Sequence, residues 1–109
     1  MEDLDTMAKR VLFAQIRVPD YPRVRFFKRA PEEPKGFRDV TGLVAKLIVE
    51  EVPESEGRYA LLRLDAKDEL VWRTTYPSLQ EMKWHAEFEY GLPEEKWQVW
   101  PESNMVTSA

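Results

Sequence analysis

The sequence predicts an α+β fold: a mainly antiparallel sheet of about five strands with one C-terminal amphipathic helix packed on it. Three observations carry this expectation. Several segments alternate apolar and polar side chains with a period of two, and turns bearing proline, glycine or aspartate separate them. One later segment has helical spacing with a cap signal at each end. Hydrophobic residues make up 43% and charged residues 33% of the 109 positions, a balance suited to a globular chain rather than a disordered one. A single globular domain over 9–100 is expected, with flexible tails at 1–8 and 101–109.

Arg10 to Val18 alternates, with Leu12, Ala14, Ile16 and Val18 on one face, and reads as a strand. Pro19-Asp20-Tyr21-Pro22 interrupts it, because two prolines fix φ and remove two donors. Arg23 to Arg29 then reads as a second strand, paired with the first through this turn. Residues 30–39 hold Pro31, Pro34 and Gly36 and are expected to form a loop. Its length favours a mobile or binding role.

Val40 to Val52 sends two signals. Val40, Leu43, Val44, Leu47, Ile48 and Val52 fit a helical stripe. The many β-branched residues and Gly42 favour a strand from about Leu43, which is the expectation adopted. A helix here would instead give the order ββαββα, a pseudo-repeat with two helices on a four-stranded sheet. Arg58 to Asp65 and Glu69 to Tyr76 form the clearest hairpin, with Asp65-Ala66-Lys67-Asp68 between its arms.

Ser78 to Tyr90 is expected to be the helix. Ser78 can accept from a free backbone N–H, and Glu81 three residues on completes a capping box. Gly91 suits a left-handed C-cap and Pro93 bars continuation. Leu79, Met82, Ala86 and Tyr90 share the face that should dock on the sheet. Trp84 and Phe88 lie one turn apart on nearly the opposite face. Pro93 to Lys96 suggests a single helical turn. Trp97-Gln98-Val99-Trp100 reads as extended, with both tryptophans expected on one side.

Composition narrows the function. The chain has no Cys and one His, which excludes disulfides, zinc–thiolate and iron–sulfur sites, a cysteine nucleophile and any multi-His metal site. There is no G-x-S-x-G, P-loop or G-x-G-x-x-G pattern, and no cofactor or metal is expected. Met1 to Arg10 has no secretory pattern, and the apolar runs fall far short of the ~20 residues of a membrane span. A soluble cytoplasmic protein without membrane contact is expected. The net charge of −4 hides an asymmetry: residues 9–38 hold nine basic and three acidic side chains, residues 51–109 six basic and twelve acidic.

Four groups of residues invite a functional reading. Trp84 and Phe88 are a partner face if they stay open, because exposed aromatics mark interfaces. The default is that Trp97 and Trp100 fold back over them, since large apolar groups are usually buried by their own chain. Arg23, Arg25, Phe27 and Arg29 share one face of the second strand. With Arg17 nearby, they carry the chemistry of RNA or single-stranded DNA binding, phosphate contacts beside a stacking ring. Lys35 and Arg38 extend that patch. A sequence pI of about 5.1 argues against it and for a solvated face. Glu81, His85 and Glu89 form one helical stripe, read as a solvated edge rather than a metal or acid–base site. Asp65, Asp68 and Glu69 lack a calcium-loop register and read as turn chemistry.

The sequence therefore points to a small non-catalytic interaction module. It would self-associate as a homo-oligomer or bind a protein partner through Trp84, Phe88, Trp97, Trp100 and charged surfaces. Nucleic-acid binding through the basic strand is the rival reading.

Overall fold

The computed structural model describes residues 9–101. Its strands are β1 (Lys9–Gln15), β2 (Phe27–Arg29), β3 (Phe37–Asp39), β4 (Lys46–Glu51), β5 (Tyr59–Leu64), β6 (Leu70–Tyr76) and β7 (Gln98–Val99). The α-helix, α1, spans Leu79–Tyr90. β6, β5, β4, β1 and β7 form, in that order, an antiparallel five-stranded sheet, so the fold is α+β as expected. The tails expected at 1–8 and 101–109 lie outside the described residues, apart from Pro101.

The membership of the sheet differs from expectation. The second strand does not run over 23–29 and does not pair with β1. Only Phe27–Arg29 is extended, and it pairs with Phe37–Asp39 inside the segment expected to be a loop. β4 lines one side of β1 from Lys9 to Gln15, and β7 takes Leu12 and Phe13 on the other. The chain after Pro22 instead folds on itself. Val40 N–H donates to Phe26 O at 2.9 Å, Ala30 N–H donates to Gly36 O at 2.9 Å, and the Thr41 hydroxyl accepts from Phe26 N–H at 2.7 Å. A separate two-stranded ribbon results.

Val40 to Val52 resolves toward the strand. A 3-10 turn at Thr41–Leu43 leads into β4, so the two-helix pseudo-repeat does not form. β4 reaches β5 through a turn closed by Gly57 at φ +111°, where a Cβ would meet Thr75 Cβ at 2.7 Å. The β5–β6 turn is shaped by Asp65, whose Oδ1 accepts from Lys67 N–H at 2.8 Å and Glu69 N–H at 2.9 Å. These backbone bonds, Glu69 first, hold the Asp65 carboxyl below its ordinary value. The acidic cluster is turn chemistry.

Register sorts the side chains between two faces. Ala14, Leu47, Val49 and Leu61 point toward α1 and are fully buried with Met82 and Ala86. Phe13, Ile48, Leu62 and Leu64 occupy the opposite pleat. α1 starts and stops where its caps predict. The Ser78 hydroxyl accepts from Glu81 N–H at 3.1 Å, and Gly91 at φ 66° donates to Glu87 O at 2.7 Å.

The two C-terminal tryptophans do not share a side. A three-residue spacing crosses the pleat of an extended segment. Trp97 packs against the hydrophobic core, while Trp100 meets Phe13 on the far pleat edge-to-face at 5.7 Å.

Candidate interaction surface

The inward stripe of α1 determines what its outer side presents. Met82 and Ala86 are buried, so positions 84 and 88 project away from the sheet. Trp84 and Phe88 stack almost parallel, 5.6 Å between centroids and 5° between planes. They remain 58% and 39% exposed. The expected cover by Trp97 and Trp100 is absent: the first is spent on the core and the second on Phe13.

The stack has neighbours at both ends. The Arg23 guanidinium lies 5.2 Å over the Phe88 ring, a cation–π contact. Trp84 also meets His85 edge-on at 5.0 Å, and His85 lies against Tyr76 at 4.8 Å. A groove of about 480 Å³ runs beside Trp84, walled by Leu79 and Leu92, with Glu87 and Glu94 at its rim. Lys83 Nζ reaches Glu94 at 3.4 Å, and Glu87 has no ion-pair partner among the described residues.

The residues proposed for nucleic acid are dispersed. Arg17 is exposed beyond β1. Arg23 is engaged with Phe88, and Arg25 Nη1 donates to Asp39 Oδ2 at 2.8 Å. Hydrogen bonds from Thr41, and then the Arg25 contact, hold the Asp39 carboxyl below its ordinary value. Phe27 and Arg29 do share a face of the ribbon, where Arg29 sits opposite Phe37. Phe27 is 49% and Phe37 57% exposed. Lys35 is exposed in the ribbon loop, and Arg38 is paired with Glu32 and Glu33.

One cluster escaped the sequence reading. Glu89, read as part of a solvated edge, is buried against Arg63 of β5. Their side chains are 6% and 1% exposed, and the closest approach is 3.0 Å from Nη2 to Oε1. Arg63 Nε and Nη2 also donate to Glu89 at 3.2 Å, and Nη1 donates to Thr74 Oγ1 at 2.9 Å. The Phe26 ring faces the guanidinium at 4.6 Å. Desolvation opposes the charge on Arg63, yet the Glu89 carboxylate helps raise its pKa. Burial lifts the Tyr76 hydroxyl and pushes Tyr90 up to about 12. The missed signal was the spacing Met82, Ala86, Glu89, which places a carboxylate on the inward stripe.

With Glu89 bound to Arg63, the stripe Glu81, His85, Glu89 loses its third member. No group of three metal-ligating side chains forms among the described residues. No described helix is long and apolar enough to cross a membrane. No family model, curated protein or solved structure matches this chain.

Proposed function

We propose that this chain is a small cytoplasmic, non-catalytic interaction module that holds a protein partner or a second copy through the Trp84–Phe88 face of α1 and the charges beside it. The observation that carries this reading is the uncovered, stacked pair itself. Each ring fixes the other on a capped helix, so little side-chain freedom is left to lose on binding. Large aromatics held rigidly on a surface are the usual anchors of interfaces. The Ser78 hydroxyl is committed to the N-cap.

A photo-crosslinking residue in place of Trp84 tests this in cells that make the chain. A discrete protein adduct from position 84, absent from a control position at Lys67, is the expected result. Equal, diffuse labelling from both positions would refute the reading.

The exposed Phe27 beside Arg29 keeps a second reading open, single-stranded nucleic acid on the ribbon. It predicts salt-sensitive binding that Arg29→Ala weakens. Failure to bind an oligonucleotide at low salt would remove it.

A further inference from the structure

We infer that the partner seated on the α1 groove is the β2–β3 ribbon of a second copy of this chain. This rests on the reading above and names its partner.

The groove states the chemistry it needs. Leu79 and Leu92 give it apolar walls, Trp84 supplies a π face, and its rim carries two carboxylates against one cation: Lys83 answers Glu94, and Glu87 is left unpaired among the described residues. A flat or aliphatic side chain ending in positive charge meets all three demands, which describes arginine and lysine. The fold already shows such a contact at the other end of the same stack, where Arg23 lies over Phe88. Indole attracts a cation better than phenyl does, so Trp84 is the stronger of the two positions.

The ribbon offers the complement. Its acidic residues are spent locally: Asp39 on Arg25, Glu32 and Glu33 on Arg38. Lys28, Arg29 and Lys35 are left without a carboxylate partner among the described residues. Phe27 and Phe37 stand exposed among them. The ribbon is therefore cationic and aromatic where the groove is acidic and apolar.

A chain does not fill its own groove. Lys28 Nζ ties the ribbon to Leu70 O at 2.8 Å, at the start of β6, whereas α1 follows the other end of that strand after Tyr76. A second copy supplies what the first cannot reach. Each copy brings one ribbon and one groove, so a two-fold dimer makes the contact twice. The same pairing sets a ribbon drawn from the basic segment 9–38 of one copy against the groove lined by Glu87 and Glu94 in the other.

Sedimentation velocity over a concentration series, at low and high salt, decides the matter with three proteins. The wild-type chain should dimerise at low salt and weaken as salt rises. The groove variant Glu87→Lys/Glu94→Lys and the ribbon variant Arg29→Glu/Lys35→Glu should each weaken dimerisation at least tenfold. All four positions are exposed, and circular dichroism confirms that the variants fold. An equimolar mixture of the two variants should restore the dimer, because the reversed charges then face each other. A wild-type chain that stays monomeric, or a mixture that does not reassociate, overturns the inference. If position 84 nevertheless crosslinks to a different protein, the interaction reading stands and only the second copy is wrong. If position 84 yields no specific adduct, both fall.

Discussion

Replacing Glu89 by Gln should cost this fold about 3–5 kcal/mol, the usual loss when one partner leaves a buried ion pair. Arg63 is 1% exposed and its guanidinium donates to both Glu89 oxygens over 3.0–3.2 Å. Gln keeps one carbonyl acceptor but turns an amide N–H₂ toward a cation and removes the countercharge. Arginine cannot escape by losing its proton at ordinary pH. Thr74 and the Phe26 ring remain, and neither carries a negative charge. At about 4–8 °C per kcal/mol for a domain of this size, Tm should fall by at least about 12 °C. Urea unfolding followed by tryptophan fluorescence measures the loss directly, with unchanged m as the sign that the comparison is sound. The companion variant Arg63→Met/Glu89→Leu removes both charges and should lie within about 1 kcal/mol of wild type, or above it. A cost below about 1 kcal/mol for Glu89→Gln would refute the reasoning. That small value is what a solvated helix edge would give.

Other perturbations test other parts of the fold. Ser78→Ala should cost about 1 kcal/mol by freeing Glu81 N–H, and Ser78→Gly only a few tenths, both read by urea unfolding. Gly57→Ala should cost more than about 1 kcal/mol, since it combines φ +111° with a Cβ 2.7 Å from Thr75, and thermal melting reports it. Tyr90 has a folded pKa raised from 10.0 to about 12, so the stability it contributes is fully present below pH 10 and lost as pH rises through about 12. Tyr90→Phe should flatten that alkaline decline and delete the latest step of the tyrosinate absorbance titration.

The helix was legible because its signals are local. Ser78, Glu81, Gly91 and Pro93 each act within one turn of the chain, and none needs a tertiary partner. The 58–76 hairpin was legible for the same reason. The ribbon was not, because alternation over 23–29 says that a strand can form and nothing about which edge will take it. β1 takes its partners, β4 and β7, from elements distant in sequence. Glu89 failed differently. Its position on the inward stripe was readable, but its charge outweighed the spacing in the sequence reading. Only Arg63 of β5, 26 residues away, makes burial there tolerable. The spacing of Trp84 and Phe88 is readable as a stripe, yet coverage depends on where Trp97 and Trp100 go. A pleat of period two sends those two apart.

Charge illustrates how structure revises a tally. The segment 9–38 has an excess of basic side chains, and three of the nine are answered by carboxylates nearby. Arg10 reaches Glu50 across the sheet at 3.6 Å, Arg25 holds Asp39, and Arg38 holds Glu32 and Glu33. Exposed pairs of this kind contribute little stability, about 0–1 kcal/mol each. Their larger effect is to withdraw those charges from any distant partner. Among the charges left without an ion-pair partner in the described residues are Lys28, Arg29 and Lys35 on the ribbon and Glu87 beside Trp84. A partner that is steered electrostatically must answer those groups, and at physiological salt the steering acts over only about 8 Å. The aromatic faces have to complete the contact at short range. Selective loss of association in charge-reversed variants, with Trp84 still exposed, would separate the steering step from the packing step.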